Sequence, residues 1–182
     1  MSYLPPVLQG ILLLLVLTAA VYDMRFRRIP NWLVLAGLIL GFAMNGFLYE
    51  WAGLKSAALG MGLAFLIYLP LYMLRGMGAG DVKLMAAVGS LAGPANWLGI
   101  FILTGILGGA VAVLMLLTKG RFGQTFWNVG YILWEIAHFR APYSKREDLD
   151  VQSPKAVTLP HGVMIAVGVV VFLVAAGIFA PR

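Results

Sequence analysis

Long apolar runs dominate the chain, and short polar segments separate them. A helix needs about 20 apolar residues to cross the hydrocarbon core of a bilayer. Four runs meet that length without a break, namely residues 4–22, 32–49, 56–74 and 159–180. The pattern therefore predicts an all-α, polytopic membrane protein, a bundle of transmembrane helices.

A fifth apolar stretch, residues 82–117, contains a break at Gly93, Pro94, Ala95 and Asn96. If the break is a turn, the helix before it (82–92) is only about 16 Å long at 1.5 Å per residue. That helix is too short to cross from surface to surface, so it would begin below the headgroups. If the stretch is instead one bent span, the chain crosses the membrane five times rather than six.

The distribution of basic residues favours six crossings, because cytoplasmic loops carry an excess of Lys and Arg. With six spans only Lys55 and Arg182 lie on the opposite side. With five, the basic residues from Lys119 to Lys155 move to the side opposite Arg25 and Arg28. We predict six helices with a short fourth helix, both termini outside and three basic cytoplasmic loops. Those loops hold Arg25, Arg27, Arg28, Arg75, Lys83, Lys119, Arg121, Arg140, Lys145, Arg146 and Lys155.

Composition narrows the functional class. The chain is 62% apolar and only 11% charged, with a mean hydropathy of +0.92. These values exclude a water-soluble monomer, a disordered chain and a conventional nucleic-acid-binding domain. The net charge of +6 is interpreted as a topology signal, so the predicted partner is the lipid bilayer and not nucleic acid. Without cysteine, disulfides, thiolate zinc sites and a cysteine nucleophile are excluded.

The predicted third cytoplasmic loop, residues 118–160, is the one extended polar region of a single domain spanning 1–182. Within it, segment 126–140 places Val129, Ile132, Leu133 and Ile136 on one helical face, which is typical of a helix lying in the membrane interface. The loop either only connects two spans or helps to dock a membrane-borne substrate.

Glycine pairs in the spans are expected to support close helix packing, since small residues let backbones approach in lipid. The pairs are Gly37 with Gly41 and Gly105 with Gly109.

Two acidic residues stand apart from the other five, because Asp23 follows the first apolar run and Asp81 directly precedes the interrupted stretch 82–117. With six spans both lie on the cytoplasmic side at similar depth, so their carboxyl groups are expected to meet. Each has a structural alternative: Asp81 as the N-cap of a helix from Val82, and Asp23 as a charge paired with Arg25 or Arg27. An anion at a helix C-terminus is disfavoured by the macrodipole, so helix electrostatics do not explain Asp23.

A pair of carboxyl groups has a direct chemical use. Two such groups in close approach share one proton. The ionised member takes a proton from the attacking water, and the protonated member hydrogen-bonds the peptide carbonyl. Gly78 and Gly80 would let an extended substrate backbone approach, because no side chain blocks it. No cofactor is needed, and no cluster has metal-ligand spacing.

These residues carry a resemblance. Asp23 with Arg25, Arg28 and Ile29-Pro30-Asn31, together with the block Gly78-Ala79-Gly80-Asp81-Val82-Lys83-Leu84, resembles the prepilin peptidases, intramembrane aspartyl proteases of the GxGD type. The segment Leu159-Pro160-His161-Gly162 at the start of the last span is also similar. The GxGD block is the specific part.

The resemblance implies that Asp23 and Asp81 are a catalytic pair. They would remove the short basic leader of type IV-like prepilins, after a glycine, at the cytoplasmic face of a bacterial inner membrane. Longer members carry a cysteine-containing cytoplasmic domain and methylate the new N-terminus. This chain lacks those cysteines and looks like the short form of tight-adherence (Flp-type) pilus systems, so methyltransferase activity is not expected.

Supporting roles are less specific. Arg25, Arg28 and Lys83 either orient the carboxyl pair or anchor the topology, and the positive-inside rule favours the second interpretation. Asn31 is expected to cap the second helix after Pro30, and His161 to lie in the interface at a helix start.

Two other functions stay open: an ion or proton-coupled transporter, in which the acids bind a cation, and a scaffold subunit of a secretion apparatus.

Overall fold

The computed structural model of the chain describes residues 4–74, 77–119, 134 and 160–178. Within these residues all regular structure is helical: α1 (Pro6–Phe26), α2 (Asn31–Met73), α3 (Ala79–Lys119) and α4 (His161–Ile178). The all-α prediction is confirmed. The predicted interfacial helix 126–140 lies outside the described residues, except for Trp134.

Two of the helices contain a break in the backbone. Glu50 in α2 has φ 53° and ψ −134°, and Gly93 in α3 has φ 73° and ψ 169°. Glycine adopts a positive φ at little steric cost, and Pro94 after it has no N–H to donate. The predicted break at 93–96 is therefore confined to Gly93, while the residues after it return to helix.

At both breaks the chain folds back on itself as a helical hairpin. Across Glu50, a Cβ added to Gly53 would overlap the carbonyl of Asn45, and one added to Gly46 would lie 3.1 Å from Leu54 Cδ2. Across Gly93, the indole Nε1 of Trp97 donates a 3.0 Å hydrogen bond to the carbonyl oxygen of Met85. In one straight helix, residues eight and twelve positions apart would be separated by about 12 and 18 Å. These contacts therefore require the chain to reverse its direction at each break.

In the described part of the chain, three helices are long and apolar enough to cross a membrane by length and composition: α1, α2 and residues 79–115 of α3. The apolar helix of residues 161–177 is shorter. Large apolar side chains point outward from these helices, with Phe47 81% exposed and Leu66 73% exposed. A surface of this kind suits hydrocarbon rather than water.

Small residues allow α2 and α3 to pack closely. An added Cβ on Gly37 would lie 3.2 Å from Ala87 Cβ, one on Gly41 would overlap the Ser90 hydroxyl, and one on Gly60 would overlap the carbonyl of Gly89. The packing predicted for Gly37 and Gly41 is confirmed, whereas the Gly60–Gly89 contact was not anticipated.

The packing predicted for Gly105 and Gly109 is wrong within the described residues, because an added Cβ there meets no atom within 4 Å. Both glycines lie on the open outer face of α3.

Candidate active site

The two predicted aspartates lie at the same end of the bundle. Asp23 is in the last turn of α1 and only 8% exposed, while Asp81 is in the first turn of α3 and partly buried. The connection between α1 and α2 lies against the start of α3, since a Cβ on Gly80 would be 3.3 Å from Ile29 Cβ. The two carboxyl groups interact electrostatically. The structure thus brings together two acids that are distant in the sequence.

The first turn of α4 contacts Asp23 directly. The backbone N–H of Gly162 donates a buried 2.9 Å hydrogen bond to Oδ2 of Asp23. The positive end of α4 therefore faces this carboxyl group, and helix N-termini favour nearby anions. The C-terminal end of α1 disfavours the negative charge of Asp23, and the N-terminal end of α4 offsets that effect.

Space around that hydrogen bond is tight. A Cβ on Gly162 would lie 3.0 Å from Oδ2, 3.1 Å from Cβ and 3.3 Å from Cγ of Asp23. Only glycine at this position lets the helix start come so close without displacing the acid.

Asp81 does not cap its helix in the way that one alternative supposed. Because α3 begins at Ala79, three residues before Val82, Asp81 lies inside the first turn rather than at the N-cap. Its backbone N–H donates to the carbonyl of Gly78 at 3.2 Å. A Cβ on Gly78 would lie 3.3 Å from Oδ2 of Asp81, so the absence of a side chain there leaves the carboxyl group room.

An exposed hydrogen bond between Lys83 and Asn31 links α3 to α2. The Nζ of Lys83 donates a 3.0 Å hydrogen bond to Oδ1 of Asn31. The expectation that Asn31 caps α2 is wrong, since Pro30 occupies the cap position and Asn31 is the first helical residue. Its side chain holds the lysine instead.

The predicted supporting arginines are exposed at the same end of the bundle. The guanidinium of Arg25 lies 5.7 Å from the ring centroid of Phe26, and Arg28 is in the exposed turn before α2. Their positions suit a topology signal at the membrane surface.

Two further polar side chains border the acids. Tyr68 in α2 is 2% exposed, and its ring centroid lies 6.4 Å from that of His161. Tyr68 interacts electrostatically with Asp81, and His161 with Asp23. His161 begins α4, which confirms the predicted helix start. It is partly buried, and its buried Nε2 has no hydrogen-bond partner among the residues that the structure describes.

The site thus combines two interacting carboxyl groups, a phenol and an imidazole at one end of an apolar bundle. Among the described residues no three His, Asp or Glu side chains are grouped closely enough to hold a metal ion. Two interacting carboxyl groups have the chemistry to activate water and to polarise a carbonyl.

Comparison with known proteins places both acids inside one matched region. Residues 10–113 match the type IV leader peptidase family. The prepilin leader peptidase/N-methyltransferase of Escherichia coli (strain K12) is 29% identical over 149 residues, a region that covers 71% of this chain. The chain spans 66% of the length of that relative. No solved structure matches.

Proposed function

Because this chain belongs to the type IV leader peptidase family, we propose that it is a membrane endopeptidase that removes the leader peptide from type IV-like prepilins. The observation that carries the proposal is the convergence of Asp23 and Asp81, which lie in the family-matched region and interact at one end of the bundle. The chain is a multi-pass membrane protein, and its proposed substrate is itself membrane-embedded.

The proposed chemistry is hydrolysis by an aspartate pair. One carboxylate takes a proton from water as the water oxygen attacks the scissile carbonyl carbon, and the other carboxyl group protonates the carbonyl oxygen. The hydrogen bond from Gly162 supports this role by orienting Asp23. Preorganised groups of this kind cost no rearrangement during the reaction.

The glycines before Asp81 suit an extended peptide. An added Cβ on Gly78 would approach the Asp81 carboxyl group, and one on Gly80 would press on Ile29. We propose that Gly78 and Gly80 keep the approach to Asp81 open for the substrate backbone. Lys83 and Asn31 support the site from outside, by tying the start of α2 to the start of α3.

For orientation, we propose six crossings, both termini outside and the site at the cytoplasmic face of the bacterial inner membrane. The breaks at Glu50 and Gly93 give two hairpins and so support six helical segments. Basic residues, Arg25 and Arg28 among them, lie at the end of the bundle that holds the two aspartates. Their position supports a cytoplasmic location of that end.

The proposal covers the peptidase activity of a single unit over residues 1–182. The name of the E. coli relative joins a peptidase to an N-methyltransferase. The two carboxyl groups of the present site have the chemistry of hydrolysis. The Flp-type class of prepilin is proposed from the resemblance of this cysteine-free sequence to the peptidases of such pilus systems.

The test is cleavage by the purified chain in proteoliposomes that also contain a Flp-type prepilin. Mass spectrometry of the product identifies the new N-terminus, which we expect directly after the basic leader. Intact precursor in the presence of correctly folded protein would contradict the proposal. Ion flux without any cleavage would favour the transporter instead.

A further inference from the structure

Tyr68 is enclosed by aromatic rings that come from two other helices. Its ring centroid lies 6.1 Å from Trp97 and 5.7 Å from Phe101 of α3, both edge-on, and 6.4 Å from His161 of α4. Trp97 and Phe101 are themselves stacked at 5.4 Å with planes 7° apart. This packing holds the Tyr68 ring in one orientation.

The same contacts place Tyr68 beside the carboxyl pair. His161 directly precedes Gly162, whose N–H binds Oδ2 of Asp23 at 2.9 Å. On the other side, Tyr68 interacts electrostatically with Asp81. The phenol therefore lies near Asp81 and beside the start of α4, which contacts Asp23, although it comes from a helix that contributes neither acid.

The side chain of Tyr68 is 2% exposed, and its hydroxyl is its one polar group. The hydroxyl of a buried tyrosine normally finds a hydrogen-bond partner, because an unsatisfied polar group is costly in apolar surroundings. Ring packing alone would be served equally well by phenylalanine. The hydroxyl of Tyr68 thus adds a hydrogen-bond donor near Asp81.

We propose that Tyr68 is a third catalytic residue of the proposed peptidase, donating a hydrogen bond from its hydroxyl to the carbonyl oxygen of the scissile bond. The inference rests on the proposed function, which it deepens. Fixed donors aimed at developing oxyanion charge are effective in water-poor sites.

Tyr68 donates a hydrogen bond in this reaction and does not lose its proton. The water oxygen bonds to the carbonyl carbon, the water proton passes to one carboxylate, and the carbonyl π electrons move to the oxygen. That oxygen accepts the hydrogen bond of Tyr68 and the proton of the other carboxyl group. When the C–N bond breaks, the protonated carboxyl group gives its proton to the leaving amine. The C=O bond re-forms as one hydroxyl of the intermediate gives its proton to the other carboxylate, and Tyr68 keeps its own proton throughout.

The test compares two substitutions that each remove one oxygen atom. Tyr68→Phe removes the proposed donor and keeps the ring, while Tyr72→Phe makes the same change one turn further along α2. In the prepilin assay we expect kcat of Tyr68→Phe to fall about 100-fold. Its KM should stay within about threefold, since the contact forms mainly in the transition state. Tyr72→Phe should match the wild type, and both variants should keep its melting temperature.

A third variant separates donor from packing. Tyr68→Leu removes the ring as well, so it is expected to lower both kcat and the melting temperature. If Tyr68→Phe keeps kcat within about twofold of wild type while Tyr68→Leu does not, the ring alone matters and the catalytic assignment is overturned. If folded wild-type protein leaves the precursor intact, the proposed function fails, and this inference fails with it.

Discussion

The backbone N–H of Gly162 donates a hydrogen bond to Oδ2 of Asp23, a residue 139 positions earlier in the chain. The bond joins the start of the last helix to the end of the first, and it is buried. Asp23 therefore owes its position to a helix that is remote in sequence, which explains how an anion is accommodated at the C-terminal end of α1.

Gly162→Ala should reduce cleavage without unfolding the protein. The new Cβ would lie 3.0 to 3.3 Å from three atoms of Asp23, so the acid or the helix start must move by a few tenths of an ångström. Small displacements of reacting groups are expensive, and we expect kcat/KM to fall about 10- to 100-fold. The measurement is steady-state cleavage of prepilin in proteoliposomes.

The matched control for that change is Gly177→Ala in the same helix, where an added Cβ meets no described atom within 4 Å. Both variants gain the same helix propensity, so a difference in activity isolates the contact with Asp23. Equal activity of the two variants would show that the approach of Gly162 to Asp23 has no catalytic consequence.

Gly60→Ala should destabilise the bundle. Its Cβ would overlap the backbone carbonyl of Gly89, which no side-chain rotation relieves. Overpacking of this kind lowers the free energy of unfolding by about 1–3 kcal/mol, and the melting temperature should fall. Gly62→Ala, two residues further, meets no described atom within 4 Å and should melt at or above the wild-type temperature. A Gly60→Ala variant as stable as Gly62→Ala would mean that α2 and α3 do not touch there.

The proposed orientation is testable with single cysteines, because the chain has none of its own. Arg28 and Lys55 are both exposed and lie on either side of the first half of α2. In intact cells whose outer membrane admits the reagent, a maleimide that cannot cross the inner membrane should label Lys55→Cys. It should label Arg28→Cys only after lysis. The reverse pattern, or labelling of both from outside, would contradict the six-span orientation.

The helices and the break at Gly93 could be predicted from the sequence. The length of an apolar run and a Gly-Pro pair both determine backbone structure at their own positions. Helix ends were less accurate. Since glycines lower helix propensity, α3 was expected to begin at Val82, yet it begins at Ala79. Asn31 was expected to cap α2, but its position after Pro30 puts it inside the helix, where it accepts from Lys83.

Which apolar positions face a neighbouring helix could not be predicted reliably, since lipid and the protein interior both accept apolar side chains. Nothing in a uniformly apolar run distinguishes Gly60, which packs on Gly89, from Gly105, which faces outward. Tyr68 was missed for the same reason, because its neighbours Trp97 and His161 come from other helices. Its one signal is a hydroxyl inside an apolar span. Asp23 and Asp81 could be found because ionisable residues at the ends of such spans are conspicuous.

The central claim is that Asp23 and Asp81 together hydrolyse the leader peptide bond. The most direct measurement is cleavage of prepilin by purified Asp23→Asn and Asp81→Asn, with Glu50→Gln as a control acid at the hairpin turn of α2. The account predicts that each asparagine variant folds and inserts but loses activity by at least about 10⁴-fold, as expected when a member of a catalytic unit is removed. Glu50→Gln should remain active. Near-normal cleavage by either asparagine variant would contradict the account.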